Sequence, residues 1–410
     1  MSRPSSSAER LGLIVLAVFA AALPLGVAMQ QGALALLLAL WAVVVWQSGR
    51  APRSPLDWPL AALAAALLLS TALCPYPLRS LRSYDRLWVV GAFFAVYQLV
   101  RTRAEVERLV ALTVCVAAVV AAYGIVQHYT GVDLGRTLLG KPPDVDPSWL
   151  GGYGYRTKGL HPSGITYAHN LLFPLTFAAV WTLAPGLSAA RRGALLAAAV
   201  LMLLALVFSL TRGVWLAFVV VLLLLGLVRG GWAALASGAA LVLLLVLLLG
   251  VDPGVRARAR SAFDLPANVG RTQIWRANLD MARERPLLGW GYGNYKTVRD
   301  PFYARYPDAD TTAHAHNDFL QMQVDGGVVS LIAFVALFVV LLRRGWRGYR
   351  AFARGDEPAR TLTLATLLAI VGFLVGGLTQ YNFGDAEVVI YLWFTAALLL
   401  RLATLADPAA

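Results

Sequence analysis

The sequence is short of charge: only 14% of its 410 residues are Asp, Glu, Lys or Arg, against roughly 25% in a soluble domain. With 59% hydrophobic residues, that excludes both a disordered chain and a water-soluble globule. Cysteine is scarce as well. Cys74 and Cys115 sit in or beside different apolar segments without a CxxC or metal-ligand spacing, so no disulfide framework or thiolate metal centre is expected. Lysine is rarer still relative to arginine, 3 against 32. Polar intervals are missing too: from Leu11 onward only two long ones interrupt the apolar runs, and there is no repeat or low-complexity tract. Nor does a small-residue processing site follow the first run, since Pro24-Leu-Gly is a poor one, so a retained span is expected there.

What remains is a chain of apolar segments. A helix crosses the hydrocarbon with about 20 apolar residues. Segments near that test run from Leu11 to Ala28, Gly32 to Gln47, Trp58 to Leu73, Tyr84 to Val100, Val106 to Tyr129 and Ile165 to Leu183. Ala194 to Leu210, Val214 to Val228, Trp232 to Gly250, Val328 to Leu342, Leu362 to Thr379 and Val388 to Leu400 complete the set. The expected fold is an all-α polytopic membrane protein of about twelve transmembrane helices with a large, partly helical periplasmic loop region. It divides into a bundle over residues 1–250, a loop region over 251–327 and a closing bundle over 328–410.

Basic residues in short loops mark the cytoplasmic face. With the N-terminus inside, the inner segments carry Arg50, Arg53, Arg101, Arg103, Arg108, Arg191, Arg192, Arg229 and the run from Arg343 to Arg360, whereas the opposite turns Met29 to Gln31 and Tyr381 to Glu387 carry none. Both termini are therefore expected in the cytoplasm. The two long loops, Thr130 to Gly164 and Val251 to Gly327, then lie outside, where long non-repetitive loops serve as lids or binding elements. They are rich in arginine, which points to an anionic partner through bidentate contacts.

Three segments concentrate candidate chemistry. Arg212 stands in Ser209-Leu-Thr-Arg-Gly-Val-Trp-Leu at the tip of a tight outer hairpin, as a snorkelling anchor or as an anion contact. In Gly270-Arg-Thr-Gln-Ile-Trp-Arg, Arg271, Trp275 and Leu279 share a face if the segment is helical, and Pro286 stops or kinks it before a glycine-punctuated loop. An amphipathic interfacial helix explains most of these charges equally well. In Ala313-His-Ala-His-Asn-Asp-Phe-Leu-Gln, His316, Asn317, Asp318 and Gln321 fall within one or two turns, and His316 suits either a structural role or proton abstraction near neutral pH. His314-Ala-His316 lacks a third ligand, and Asp308-Ala-Asp310 is a pattern frequent by chance, so no metal is expected. Arg156, Lys158 and His161, ahead of Asn170, form either a second wall of an anion site or a plain loop-to-helix junction.

Together, Ser-Leu-Thr-Arg-Gly-Val-Trp-Leu, Arg-Thr-Gln-Ile-Trp with Arg-Pro-Leu-Leu-Gly-Trp-Gly-Tyr-Gly-Asn-Tyr, and His-Asn-Asp-Phe-Leu-Gln with Asp-Gly-Gly resemble the O-antigen ligase family, in the family's order. Each alone is weak. The resemblance implies an inner-membrane glycosyltransferase of the GT-C type, metal-independent and without cofactor. Such an enzyme moves finished O-antigen from undecaprenyl diphosphate to lipid A-core, with no role for nucleic acid. It implies that Arg212 and Arg271 are the functional arginines and His316 the essential histidine. Arg156, Lys158, His161, Arg276, Asp318 and Gln321 are then the expected substrate contacts, Arg276 being a rival to Arg271 five residues on. Asp325 stands where many relatives have Glu. An O-antigen polymerase and an O-linked protein oligosaccharyltransferase are the near alternatives. A lipid-linked glycan flippase is the distant one, because the spans carry little charge inside.

Overall fold

The computed structural model describes residues 7–49, 53–144, 154–250, 252–262, 264, 268–309, 312, 314–352 and 356–406; Arg50, Val251, Asp310 and Ala313, named above, and Arg354 in the run from Arg343 to Arg360 lie outside them. The described regular structure is entirely helical. Eight helices are long and apolar enough to cross a membrane: Val27–Ser48, Arg103–Thr130, Ala189–Phe208, Arg212–Arg229, Gly231–Leu248, Asp318–Ala351, Glu357–Gly376 and Ala386–Ala406. The shorter apolar helices Leu11–Ala22 and Asp57–Leu73, and helix Gly164–Trp181, pack among them. The protein is an all-helical polytopic membrane protein. One expectation is corrected: Tyr84 to Val100 is no single α-helix, because a 3₁₀ segment, Ser83–Val90, precedes a short helix, Gly91–Leu99. The polar Ser-Tyr-Asp-Arg opening has too little apolar surface to continue into the hydrocarbon as a buried helix.

The last two helices occupy the centre, with 83% and 78% of their apolar windows buried, whereas Gly231–Leu248 sits on the rim at 17%. Close approach explains the packing at the core. A Cβ on Gly348 would lie 2.5 Å from Ala403 Cβ, and one on Gly345 2.7 Å from Leu399, so small residues let helix Asp318–Ala351 lie against Ala386–Ala406. Phe173 stacks on Tyr391 at 4.7 Å in the same layer.

The two ends of the bundle differ. At one end Arg229 bonds Glu357 at 2.8 Å, Arg360 bonds the same carboxylate at 2.8 Å, and Arg103 pairs with Asp356. At the other, both long loops fold onto the bundle. The residues after 268 build their own small core of Ile274, Ala277, Met281, Tyr295, Phe302 and Val324, which seats them on helix Asp318–Ala351. That helix is broken at Gly327 (φ 67°), and the chain after Pro286 pairs with the broken stretch. Val328 N–H donates to Pro286 O at 2.8 Å, Trp290 N–H to Val324 O at 2.8 Å and Gly291 N–H to Asp325 O at 2.9 Å. Only glycine fits here, since a Cβ at Gly327 would fall 2.2 Å from the Leu287 carbonyl. The break divides the helix into an outer part carrying Asp318, Gln321 and Asp325 and an inner, apolar part that begins at Val328.

Candidate functional site

Arg212 opens helix Arg212–Arg229 beyond a strained tip, where Leu210 has φ 57° although it is not glycine. The tip is propped from two sides. Arg156 Nε donates to Ser209 O at 2.7 Å and its second amino group to Thr211 Oγ1 at 3.2 Å, while Arg258 Nε donates to Leu210 O at 3.2 Å. The Arg212 guanidinium bonds neutral partners, Ser261 Oγ at 3.0 Å and Asn268 Oδ1 at 2.8 Å. Arg271 is the third residue of helix Val269–Glu284 and has no ion pair among the described residues; neither has Arg212.

These arginines repel one another. Burial, and then Arg212, holds Arg271 below the ordinary arginine range. Burial first, then Arg212, Arg156 and Arg271, push Arg258 down to about 10, and burial alone takes Arg156 to about 10. All four stay charged at neutral pH. A half-buried group of like charges can hold an anion of more than one charge.

His316 adjoins this cluster. Electrostatic links run from Arg271 to His314, whose ring centroid lies 4.3 Å from that of His316. His316 also has positive φ, 51°; it and Leu210 are the non-glycine residues with positive φ among the described residues, and both flank the site. Its Nδ1–H donates to Gln380 Oε1 at 2.6 Å, which leaves Nε2 as the basic nitrogen. The turn carrying Gln380 is clamped to the same helix start. Asn317 Nδ2 donates to Leu378 O at 2.9 Å, Asp318 N–H to Gly377 O at 2.7 Å and Phe383 N–H to Asp318 Oδ1 at 2.9 Å. Asn317 Oδ1 in addition caps the helix by accepting from Leu320 N–H at 3.0 Å. From the loop side, Tyr295, Tyr303 and Thr312 form a hydroxyl chain ending on His314 O, 2.8 Å from Thr312 Oγ1. Burial, then His316, Arg271 and Lys296, push His314 down to about 3, so it is neutral.

Arg212, Arg271 and His316 are thus brought to one mouth, with Arg156 as a support of the tip. The other expected contacts fall elsewhere. Lys158 forms a buried ion pair with Asp133 at 2.8 Å, so its charge is already met inside the protein. His161 is 3% exposed and turned against the Tyr167 ring, and burial lowers it to about 4. Arg276, about 140° round the helix from Arg271, is exposed on the side of Tyr306. Asp318 is buried and serves the turn, and Asn170 donates to Glu387 O at 3.3 Å. Gln321 bridges Ala315 N–H, accepted at 2.8 Å, and Asp325 Oδ1, reached at 3.0 Å. Asp308 is bound to Gln273 Nε2 at 2.7 Å. Sequence reading missed Gln380 and Arg258. The signal for Gln380 was a Thr-Gln-Tyr-Asn turn more polar than two apolar helices need, whereas Arg258 stood undistinguished in a run of arginines.

The fold and this mouth define an all-helical membrane protein with a cluster of arginines beside a histidine. Residues 197–335 match the family model described as O-Antigen ligase, a stretch that contains Arg212, Arg271 and His316, and the resemblance to that family is thereby shown. The chain is also similar to "Exopolysaccharide production protein ExoQ" of Rhizobium meliloti (strain 1021), 27% identical over 154 residues that cover 34% of each chain. The match spans about a third of that relative's length.

Proposed function

We propose that the protein is an O-antigen ligase of the bacterial inner membrane, with both termini cytoplasmic, about twelve spans and the mouth facing the periplasm. The division at residues 250 and 327 separates the bundle halves from the region that supplies Arg271 and His316. The enzyme transfers O-antigen from undecaprenyl diphosphate to the lipid A-core oligosaccharide, needing no metal or nucleotide. The single observation that carries this reading is the convergence at one mouth of an oriented imidazole and two arginines with no ion pair among the described residues.

The chemistry follows from that arrangement. A diphosphate is a competent leaving group once its charge is held, which Arg212 and Arg271 do in a partly dehydrated site. His316 Nε2 takes the proton of the acceptor hydroxyl as its oxygen attacks the anomeric carbon. The carbon–oxygen bond to the diphosphate breaks with its electron pair staying on the phosphate, and one displacement gives inversion.

A second reading, polymerisation on the carrier lipid, draws on the relative's printed role in exopolysaccharide production. Purified protein given lipid-linked O-antigen and lipid A-core in the presence of chelator decides between them. Ligation yields one block per core; polymerisation yields lengthening glycan on the carrier. Arg212→Ala and His316→Ala each lower transfer by about 10² or more. Full activity in either variant overturns the mechanism.

A further inference from the structure

A separate cavity of about 380 Å³ opens beside the mouth, within the roughly 300–1,000 Å³ usual for small-ligand sites. Gln321 and Asp325, both buried, form its floor, and the rings of Tyr292 and Tyr381 its walls. Three cations, Arg79, Arg86 and Lys296, stand around it against one acid at the rim, Asp85. None of the three makes an ion pair or side-chain hydrogen bond among the described residues. Arg86 acts electrostatically on Asp325, Tyr292 and Tyr381, so its charge reaches the interior. The 3₁₀ segment runs along the cavity, which places Ser83, Arg86 and Val89 in its lining.

The cavity shares a wall with the base. Tyr381 lies 5.7 Å from His314, itself 4.3 Å from His316, and Gln321 holds the Ala315 amide next to His316. Aromatic faces with an amide and a carboxylate between them suit sugar rings and hydroxyls, and the cations add a demand for negative charge.

We propose that this cavity binds the acceptor, an oligosaccharide bearing phosphate, with the phosphate on Arg86 and Lys296 and the reacting hydroxyl reaching past Tyr381 to His316. The inference rests on the glycosyl-transfer reading above. The hydroxyl oxygen forms the new bond to the anomeric carbon, its proton passes to His316 Nε2, and the diphosphate departs into the separate arginine cluster.

The test uses the full chain in phosphatidylcholine nanodiscs and a fluorescent, phosphorylated short oligosaccharide, alongside its phosphatase-treated twin. Combined Arg86→Ala and Lys296→Ala should weaken binding of the phosphorylated probe by about tenfold or more, as loss of charge-assisted bonds implies, and leave the twin unaffected. Arg212→Ala should leave binding of both unchanged. In turnover, the double variant should raise KM for acceptor and not for donor. Unaltered affinity in the double variant overturns the proposal, as does displacement of the probe when phosphatidylglycerol is introduced, which would make this a lipid-headgroup site. If wild-type protein binds the probe in this way yet ligates nothing, the enzymatic reading fails and the cavity assignment as an anionic-sugar site stands.

Discussion

Gln380 decides which nitrogen of His316 is basic, through a bond of 2.6 Å to Nδ1. Replacing it with Met removes that control while keeping the volume. Turnover should fall by at least about tenfold, a fraction of the roughly 10² to 10⁴ a general base contributes, with little change in either KM. Gln380→Glu keeps the acceptor and adds charge. A carboxylate there favours the imidazolium, so the acid limb of the pH–rate profile should move upward by about one unit or more. A structural role alone would leave that limb in place. His161 tests a different point. Its folded value of about 4 lies below its ordinary value of 6.5, so the unfolded state binds more protons between these pH values. Stability should therefore fall as the pH is lowered from about 6.5 toward 4, by up to about 3 kcal/mol from this residue. Thermal midpoints in detergent at pH 7.5 and pH 5 should draw together in His161→Leu. An unaltered gap would show that the group is not held neutral by burial.

At the scale of the helix, the interruption at Gly327 sets where the reacting part begins. Gly327→Ala places an L side chain at φ 67° and against Leu287, a loss of about 1–3 kcal/mol from the backbone alone. A lowered unfolding midpoint together with weakened transfer is expected; an unchanged midpoint would show that the break relaxes freely. The element boundaries explain what a sequence can reveal. The expected span starting at Val328 was legible because apolar composition begins where the break lies. The outer part before it was legible only as one or two turns around Asp318 and Gln321; its clamps to the 286–291 and 377–383 turns are long-range and appear only after folding. The helix containing Arg271 was readable from its period and its stop before Pro286. Ser83–Val90 was misread because hydropathy does not distinguish a 3₁₀ turn from an α-helix.

At the scale of the molecule, Arg103, Arg229 and Arg360 at one end are met by carboxylates, whereas Arg212 at the other bonds the neutral Ser261 and Asn268. The orientation proposed from loop charge is directly measurable. In a Cys115→Ser background, Leu138→Cys, 84% exposed at the mouth end, should react with an impermeant maleimide in intact spheroplasts, and Trp346→Cys only after permeabilisation. The reverse pattern would turn the mouth toward the cytosol and remove the periplasmic reading. Motifs singled out Arg212, Arg271 and His316, which share one mouth, whereas the ion pair of Lys158 was not legible, because Asp133 is 25 residues away in sequence and adjacent only after folding. The seam between loop region and bundle has a kinetic meaning. Arg212 belongs to the membrane body, and so does the imidazole through its bond to Gln380, whereas Arg271 is carried by the loop region, and Ser261 and Asn268 lace the two together. The relative placement of the two arginines is thus a property of how two bodies dock. Loosening that lacing should slow catalysis in protein that remains fully folded.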